Sequence, residues 1–185
     1  MMNSALIADR NQSQLVVVDM QTKLSSVMPE GMAAVIKNCE ILLQASALLE
    51  IPAILTEHYP KGLGPTLPQL TPYLNGKTPT EKITFSCCGE PAFNRLLSKD
   101  HGHVVLAGME AHICLLLTAL DLRAQGKTVF VIEDAIISRN PANKQNALNR
   151  MREAGIVISN TESVLFEWLR VAEGDVFKKI SQLIR

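Results

Sequence analysis

Short apolar runs that alternate with longer helical stretches most strongly restrict how this chain can fold. The run Leu15–Val18 is continuous and rich in β-branched residues, as is typical of a strand covered on both faces of a sheet. His103–Ala107 has the same character, and we expect Gly108 to end it. Strands alternating with helices form parallel sheets between helix layers. The sequence therefore predicts an α/β fold of three layers, α/β/α and Rossmann-like, with a single domain over residues 1–185.

The same pattern predicts where the other elements lie. In chain order we expect a helix at 31–50, strands at 51–55 and 81–85, helices at 91–97 and 111–125, a strand at 128–132, a helix at 140–153, a strand at 156–158 and a helix at 175–184. Residues 57–79 are dense in proline and glycine and are predicted to form a long loop. Ligands of such sheets bind at the carboxyl ends of the strands, so functional residues are expected there.

The charge balance and the apolar runs narrow the choice of partner and compartment. Eighteen basic residues match eighteen acidic ones, which argues against a nucleic acid or an anionic membrane as the partner. A net charge near zero weakens repulsion between copies, so we expect a homo-oligomer, a dimer or larger. The sequence has no secretory signal pattern, no membrane-length apolar run and no CxxC pair among its four cysteines. These features predict a cytoplasmic protein with reduced thiols.

Two polar side chains follow the most apolar runs. Asp19 ends the first run, where its carboxylate would be partly desolvated, and it serves equally well as a functional group or as a local cap. Cys114 lies about one turn into the next helix, where the helix dipole favours a thiolate and would lower the thiol pKa. Its alternative is a plain core thiol. Lys82, judged by its neighbours alone, would be a surface charge.

Three ordered segments resemble the signature segments of isochorismatase-like cysteine hydrolases. They are Leu15–Gln21 (LVVVDMQ), Lys82 with Phe85-Ser86, and Gly108–Cys114 (GMEAHIC). Leu55–Gly64 and Ser138-Arg139 are more narrowly similar to the branch named isochorismatase domain-containing proteins. The resemblance extends from residue 15 to residue 184.

This resemblance implies a six-stranded parallel sheet and a catalytic triad of Asp19, Lys82 and Cys114. In that family the aspartate acts as general base on the thiol, the cysteine attacks an electrophilic carbon and the lysine stabilises the charged partners. The family also carries a non-proline cis peptide after the residue that matches Met109. By this resemblance, the backbone amides of Glu110 and Cys114 would point toward one oxyanion.

The function implied is hydrolysis of a small amide- or ester-like metabolite, with a C–N bond favoured, through a covalent thioester to Cys114 and without a cofactor. Gln21, Tyr59 and Phe85 are the residues predicted to line the substrate pocket. Nicotinamidases of the superfamily hold a metal with an Asp-x-His segment after the second strand. The corresponding segment here is Glu57-His58-Tyr59, in which Tyr59 replaces the histidine ligand. We therefore expect no catalytic metal.

Judged from the residues, two other functions remain possible. The first is a non-catalytic binding or scaffold protein that has kept the fold, although the intact Asp19 and Lys82 argue against a retired site. The second is a nucleotide-dependent oxidoreductase on a similar sheet. No dinucleotide fingerprint follows the first strand, and Gly62-Leu63-Gly64 is followed by proline, so the sequence argues against nucleotide binding.

Overall fold

One parallel sheet of six strands forms the centre of the computed structural model, which describes residues 6–185. The strands are β1 (Ser13–Val18), β2 (Ala53–His58), β3 (Thr80–Lys82), β4 (His103–Met109), β5 (Thr128–Ile137) and β6 (Val157–Ser159). Their order is β3-β2-β1-β4-β5-β6, and every neighbouring pair is parallel. The predicted six-stranded parallel sheet is confirmed. The order reverses between β1 and β4, which places the expected ligand cleft beyond the carboxyl ends of these two central strands.

Helices cover both faces of this sheet. They are α1 (Thr22–Ser25), α2 (Met32–Leu48), α3 (Pro60–Leu63), α4 (Pro91–Leu96), α5 (Leu116–Ala124), α6 (Pro141–Glu153), α7 (Thr161–Leu169) and α8 (Gly174–Leu183). Alternate residues of β1 point into two separate apolar clusters, Val17 into one shared with α2, α7 and α8, and Val16 into one shared with α4, α5 and α6. This confirms the three layers. Within residues 6–185, no helix has the length and apolar character needed to cross a membrane.

The fifth strand extends five residues beyond its predicted end at residue 132, through the polar pair Glu133-Asp134. The register with β4 shifts in this region, so β5 bulges and then resumes pairing. Lys144 of α6 supports the bulge by donating to the carbonyls of Glu133, at 2.7 Å, and Ile136, at 2.8 Å. Asp134 accepts from the backbone N–H of Thr161, at 2.8 Å, and so fixes the start of α7, a helix that the sequence pattern did not predict.

Gly108 lies inside β4, and the prediction that it ends the strand was wrong. Its φ is +115°, a conformation that L side chains rarely adopt. A Cβ added there would overlap the backbone carbonyl of Val18. Glycine therefore lets β1 and β4 approach closely at the carboxyl end of the sheet, while β4 continues to Met109.

Trp168 anchors α7 to the central strand. It is the only tryptophan of the chain and is 1% exposed. Its Nε1–H donates to the hydroxyl of Ser13, the first residue of β1, at 3.0 Å. This indole therefore packs in the core and is also hydrogen-bonded, as buried tryptophans usually are.

Candidate active site

Asp19 and Lys82 form a buried ion pair at the carboxyl end of the sheet. Asp19 follows β1 and Lys82 ends β3, with Lys82 Nζ 2.7 Å from Asp19 Oδ2 and no exposed surface on either side chain. The other two protons of the ammonium go to the carbonyls of Thr84, at 3.2 Å, and Phe85, at 3.1 Å. The chain after Lys82 thus wraps around its ammonium, which explains why β3 ends there, three residues before the predicted end at residue 85.

Lys82 keeps its positive charge in this position. Burial by itself would lower the pKa of the ammonium, but the negative charge of Asp19 and their hydrogen bond raise it above its usual value. With all three N–H groups donated, the lysine stays charged and has no lone pair with which to accept a proton. Asp19 is the group of this pair that can act as a base.

Cys114 lies against this ion pair, in a π-helical turn over Ala111–Leu115 that connects β4 to α5. The turn is closed by the N–H of Leu115, which donates to the carbonyl of Glu110 at 3.3 Å. The sequence predicted one continuous helix from residue 111, whereas the structure has this wider turn first. Thr118 in α5 donates its hydroxyl to the Cys114 carbonyl at 2.6 Å and so fixes the backbone of the turn.

The thiol of Cys114 keeps its proton in the resting site. Burial raises its pKa, and the negative charge of Asp19 raises it further, while Lys82 only partly offsets these effects. The predicted lowering of this pKa was therefore wrong in direction, because it counted the helix dipole but neither the carboxylate nor the desolvation. An attack by this sulfur would need a base, and the carboxylate whose charge acts on the thiol is that of Asp19.

The peptide bond between Met109 and Glu110 is cis. The Glu110 side chain is buried and accepts from the backbone N–H of Arg139, at 2.9 Å, and from its guanidinium Nε, at 3.1 Å. These bonds connect the turn that carries Cys114 to the segment after β5. Ser138-Arg139 was identified from the sequence as a family feature, but its contact with Glu110 was not predicted.

The three residues predicted to line the pocket have different environments. Gln21 is fully buried, and its amide donates to the carbonyls of His58 and Gly64 at 3.0 and 2.7 Å and accepts from the His58 N–H at 2.7 Å. It therefore holds the loop after β2 in place. Tyr59 and Phe85 are half exposed, and the Phe85 ring centroid lies 5.3 Å from that of His58. Their contact with a substrate stays a prediction, as does that of Gln21.

The contacts of residues 56–58 were not predicted from the sequence. The hydroxyl of Thr56 donates to Asp19 Oδ1 at 2.7 Å. Glu57 is buried and accepts from the N–H and the hydroxyl of Thr66, both at 2.6 Å. Burial, followed by the charge of Lys82, lowers the pKa of His58. The only sequence signal for these roles was their position at the end of a strand that neighbours β1.

The described residues were compared with two common marks of a functional site, a metal cluster and a cavity. In the part of the chain that the structure describes, no three His, Cys, Asp or Glu side chains converge closely enough to hold a metal ion. A cavity of about 710 Å³ lies between α2, the start of β2 and residues 73–80, and none of Asp19, Lys82 and Cys114 lines it. We place the candidate site by its chemistry, because the buried Asp19–Lys82 pair and the Cys114 thiol lie together there.

The chain is similar to several known proteins. The isochorismatase domain model matches residues 13–163. Isochorismatase domain-containing protein 2 of Danio rerio is 39% identical over 173 residues, covering 93% of this chain and 86% of that protein. The structure of the MAR1 ribonuclease of Caenorhabditis elegans is 35% identical with a TM-score of 0.90, covering 96% of this chain and 92% of that one. The YcaC gene product of Escherichia coli, an octameric hydrolase of unknown specificity, shares the fold at 22% identity, with a TM-score of 0.88 and coverage of 96% and 89%.

Proposed function

The chain belongs to the isochorismatase family, and from this premise we propose that it is a hydrolase that cleaves a small amide- or ester-like metabolite through a thioester on Cys114. The observation that carries the proposal is the buried Asp19–Lys82 pair, 2.7 Å apart, placed against the Cys114 thiol. A buried ion pair contributes little to the free energy of folding, because desolvation offsets most of the attraction between its charges. Beside a nucleophile the same pair has a chemical use.

In the first step, Asp19 takes the proton of the Cys114 thiol while the sulfur attacks the carbonyl carbon of the substrate. Lys82 keeps its proton and stabilises the negative charge that passes from the carboxylate to the sulfur. We assign the stabilisation of the carbonyl oxygen to the backbone N–H groups of Glu110 and Cys114. The tetrahedral adduct then collapses, and the C–N or C–O bond breaks. The leaving amine or alcohol departs with the proton held by Asp19.

The second half of the reaction frees the enzyme. Asp19, again a carboxylate, removes a proton from a water molecule as the water oxygen attacks the thioester carbon. The C–S bond breaks, the sulfur recovers its proton from Asp19, and a carboxylic acid is released. The net change is the addition of one water to one amide or ester, with no oxidant or cofactor consumed.

The test is a turnover screen with small amides and esters, combined with mass spectrometry of the trapped acyl adduct. Cys114→Ala should abolish both turnover and the adduct. Cys88→Ala is the matched control, since Cys88 is a half-buried thiol whose pKa burial raises to about 11, and it should leave both unchanged. Turnover that survives Cys114→Ala, or an adduct that maps to another cysteine, would contradict the assignment.

Small metabolites and RNA can be separated in the same screen. The Caenorhabditis elegans relative is described as a ribonuclease. This chain carries equal numbers of acidic and basic residues, so it has no overall positive field to attract a phosphate backbone. We therefore expect RNA to stay intact under conditions in which a small amide is hydrolysed. RNA cleavage that disappears in Cys114→Ala would replace the proposed substrate class, and no turnover of any substrate together with an ordinary alkylation rate at Cys114 would favour a binding protein.

A further inference from the structure

Thr56 of β2 is hydrogen-bonded to the catalytic carboxylate, which is that of Asp19. Its hydroxyl donates to Asp19 Oδ1 at 2.7 Å, and its hydroxyl and carbonyl oxygens lie 3.3 and 3.2 Å from the backbone N of Asp19. Thr56 is 1% exposed, so water does not compete for these bonds. The backbone of Asp19 is left-handed, with φ of +50°. Thr56 therefore contacts both the side chain and the backbone of a residue held in an uncommon conformation.

The hydrogen bonds around this hydroxyl fix the direction of its single proton. A hydroxyl oxygen donates once and accepts up to twice. Here both of its lone pairs face donors, the N–H of Asp19 at 3.3 Å and the thiol of Cys87 at 3.8 Å. The proton that remains is directed at Asp19 Oδ1. Because Lys82 occupies Oδ2, each carboxylate oxygen has one donor.

We propose that Thr56 is a positioning residue that keeps the Asp19 carboxylate ionised and turned so that it can take the proton of Cys114. The inference rests on the proposed function, because it assigns a role within that same site. A fixed donor favours the charged form of a carboxylate, and removing the donor makes protonation easier. Lys82 neutralises the carboxylate from one side, and Thr56 prevents its rotation from the other.

The fold itself does not need this hydroxyl. Thr56 lies in a buried strand whose preceding residues, Ile54 and Leu55, are apolar, and valine has the same branched shape and an equally high strand preference. A valine at this position would pack in the same space and lose the hydroxyl, which donates to Asp19 Oδ1 and accepts from the N–H of Asp19 and the thiol of Cys87. Serine would keep the donor and lose only the methyl group. The two substitutions therefore separate the chemical role from the packing role.

The experiment measures the alkylation rate of Cys114 by iodoacetamide between pH 4 and pH 9, with the modified peptide quantified by mass spectrometry. In the native protein we expect a plateau around neutral pH, where Asp19 assists the thiol, and a fall on the acid side as Asp19 is protonated. In Thr56→Val this acid limb should move to higher pH by about one to two units, the size expected for one hydrogen bond to a charged group. In Thr56→Ser it should stay within about 0.2 units of the native position, since the donor that sets the shift is retained.

Thr161→Val is the matched control. The Thr161 hydroxyl is also buried and donates to a carboxylate, that of Asp134, at 2.9 Å, but it belongs to α7 on the other face of the sheet. This variant should leave the alkylation profile unchanged. An acid limb in Thr56→Val that coincides with the native limb, or an equal shift in Thr56→Ser, would overturn the inference alone. A native rate that rises tenfold per pH unit without a plateau would show an unassisted thiol and would overturn the proposed function together with the inference.

Discussion

Replacing Lys82 by methionine tests the buried ion pair in the most direct way. Methionine keeps most of the length and apolar volume of the lysine side chain but removes the ammonium and its three hydrogen bonds, to Asp19 and to the carbonyls of Thr84 and Phe85. Asp19 would then be a fully buried carboxylate whose one remaining side-chain donor is Thr56. Removing one partner of such a pair typically costs about 3–5 kcal/mol of unfolding free energy. We expect Lys82→Met to lose that amount in urea denaturation at pH 7.

Lys144→Met is the matched control. Lys144 is also partly buried and donates to two backbone carbonyls, at 2.7 and 2.8 Å, but it pairs with no buried carboxylate. Burial lowers its pKa, whereas the pKa of Lys82 is raised. Its loss should cost about 1.5–3 kcal/mol, the range for hydrogen bonds made by a charged group. The difference between the two variants is the contribution of the orphaned carboxylate.

The double variant Asp19→Asn with Lys82→Met removes that carboxylate charge. It should be more stable than Lys82→Met alone, even though it carries more changes, because a neutral amide costs less to bury. The raised pKa of Lys82 also fixes a sign: its contribution is complete below about pH 10.4, the unfolded value, and is lost as the pH rises through the folded value. The reasoning would be refuted if Lys82→Met were no less stable than Lys144→Met, with equal denaturant slopes in the two transitions.

Three further predictions concern other parts of the molecule. Gly108→Ala should cost at least about 3 kcal/mol because its Cβ overlaps Val18, whereas Gly126→Ala, also at positive φ but with open space around it, should cost about 1 kcal/mol; denaturation of both variants measures the difference. Cys39 is fully buried, and burial followed by the charge of Asp134 raises its pKa, so it should resist Ellman's reagent in the native protein at pH 8 and react only after unfolding. Light scattering coupled to gel filtration should give a mass of at least two chains, in line with the balanced charge and the exposed Phe85; a mass near 20.3 kDa at micromolar concentration would contradict this.

The apolar runs were sufficient to predict the central strands and most helices. Leu15–Val18 and His103–Ala107 lie in β1 and β4, and residues 141–153 form the predicted helix, because a strand buried on both faces and a helix capped by Asn140-Pro141 leave strong local patterns. The end of β5 was missed because the sequence shows Glu133-Asp134 as a polar break. Tertiary bonds from Lys144, Thr161 and Asn38 hold the chain through this break, and pairing with β4 resumes beyond it.

The sequence predicted which residues belong to the candidate site, but it did not predict their surroundings. The family segments identified Asp19, Lys82 and Cys114, and the structure places the first two 2.7 Å apart and the third against them. The direction of the thiol pKa depends on how burial and two opposite charges add at one sulfur atom, and no local pattern encodes that sum. Thr56 was missed for the same reason, since a threonine in a strand is common and its partner lies 37 residues away in the chain.

The single tryptophan makes this fold convenient to follow by fluorescence. Trp168 is shielded from water and bonded to the first residue of the central strand, so its emission should be that of an apolar environment and should shift to longer wavelength when α7 separates from the sheet. The signal arises from one position and reports one event. A variant such as Ser13→Ala would change the local polarity of the indole while leaving Cys114, in the other apolar cluster, untouched. Stopped-flow emission could then time the docking of the last helices onto β1 independently of any chemistry at the thiol.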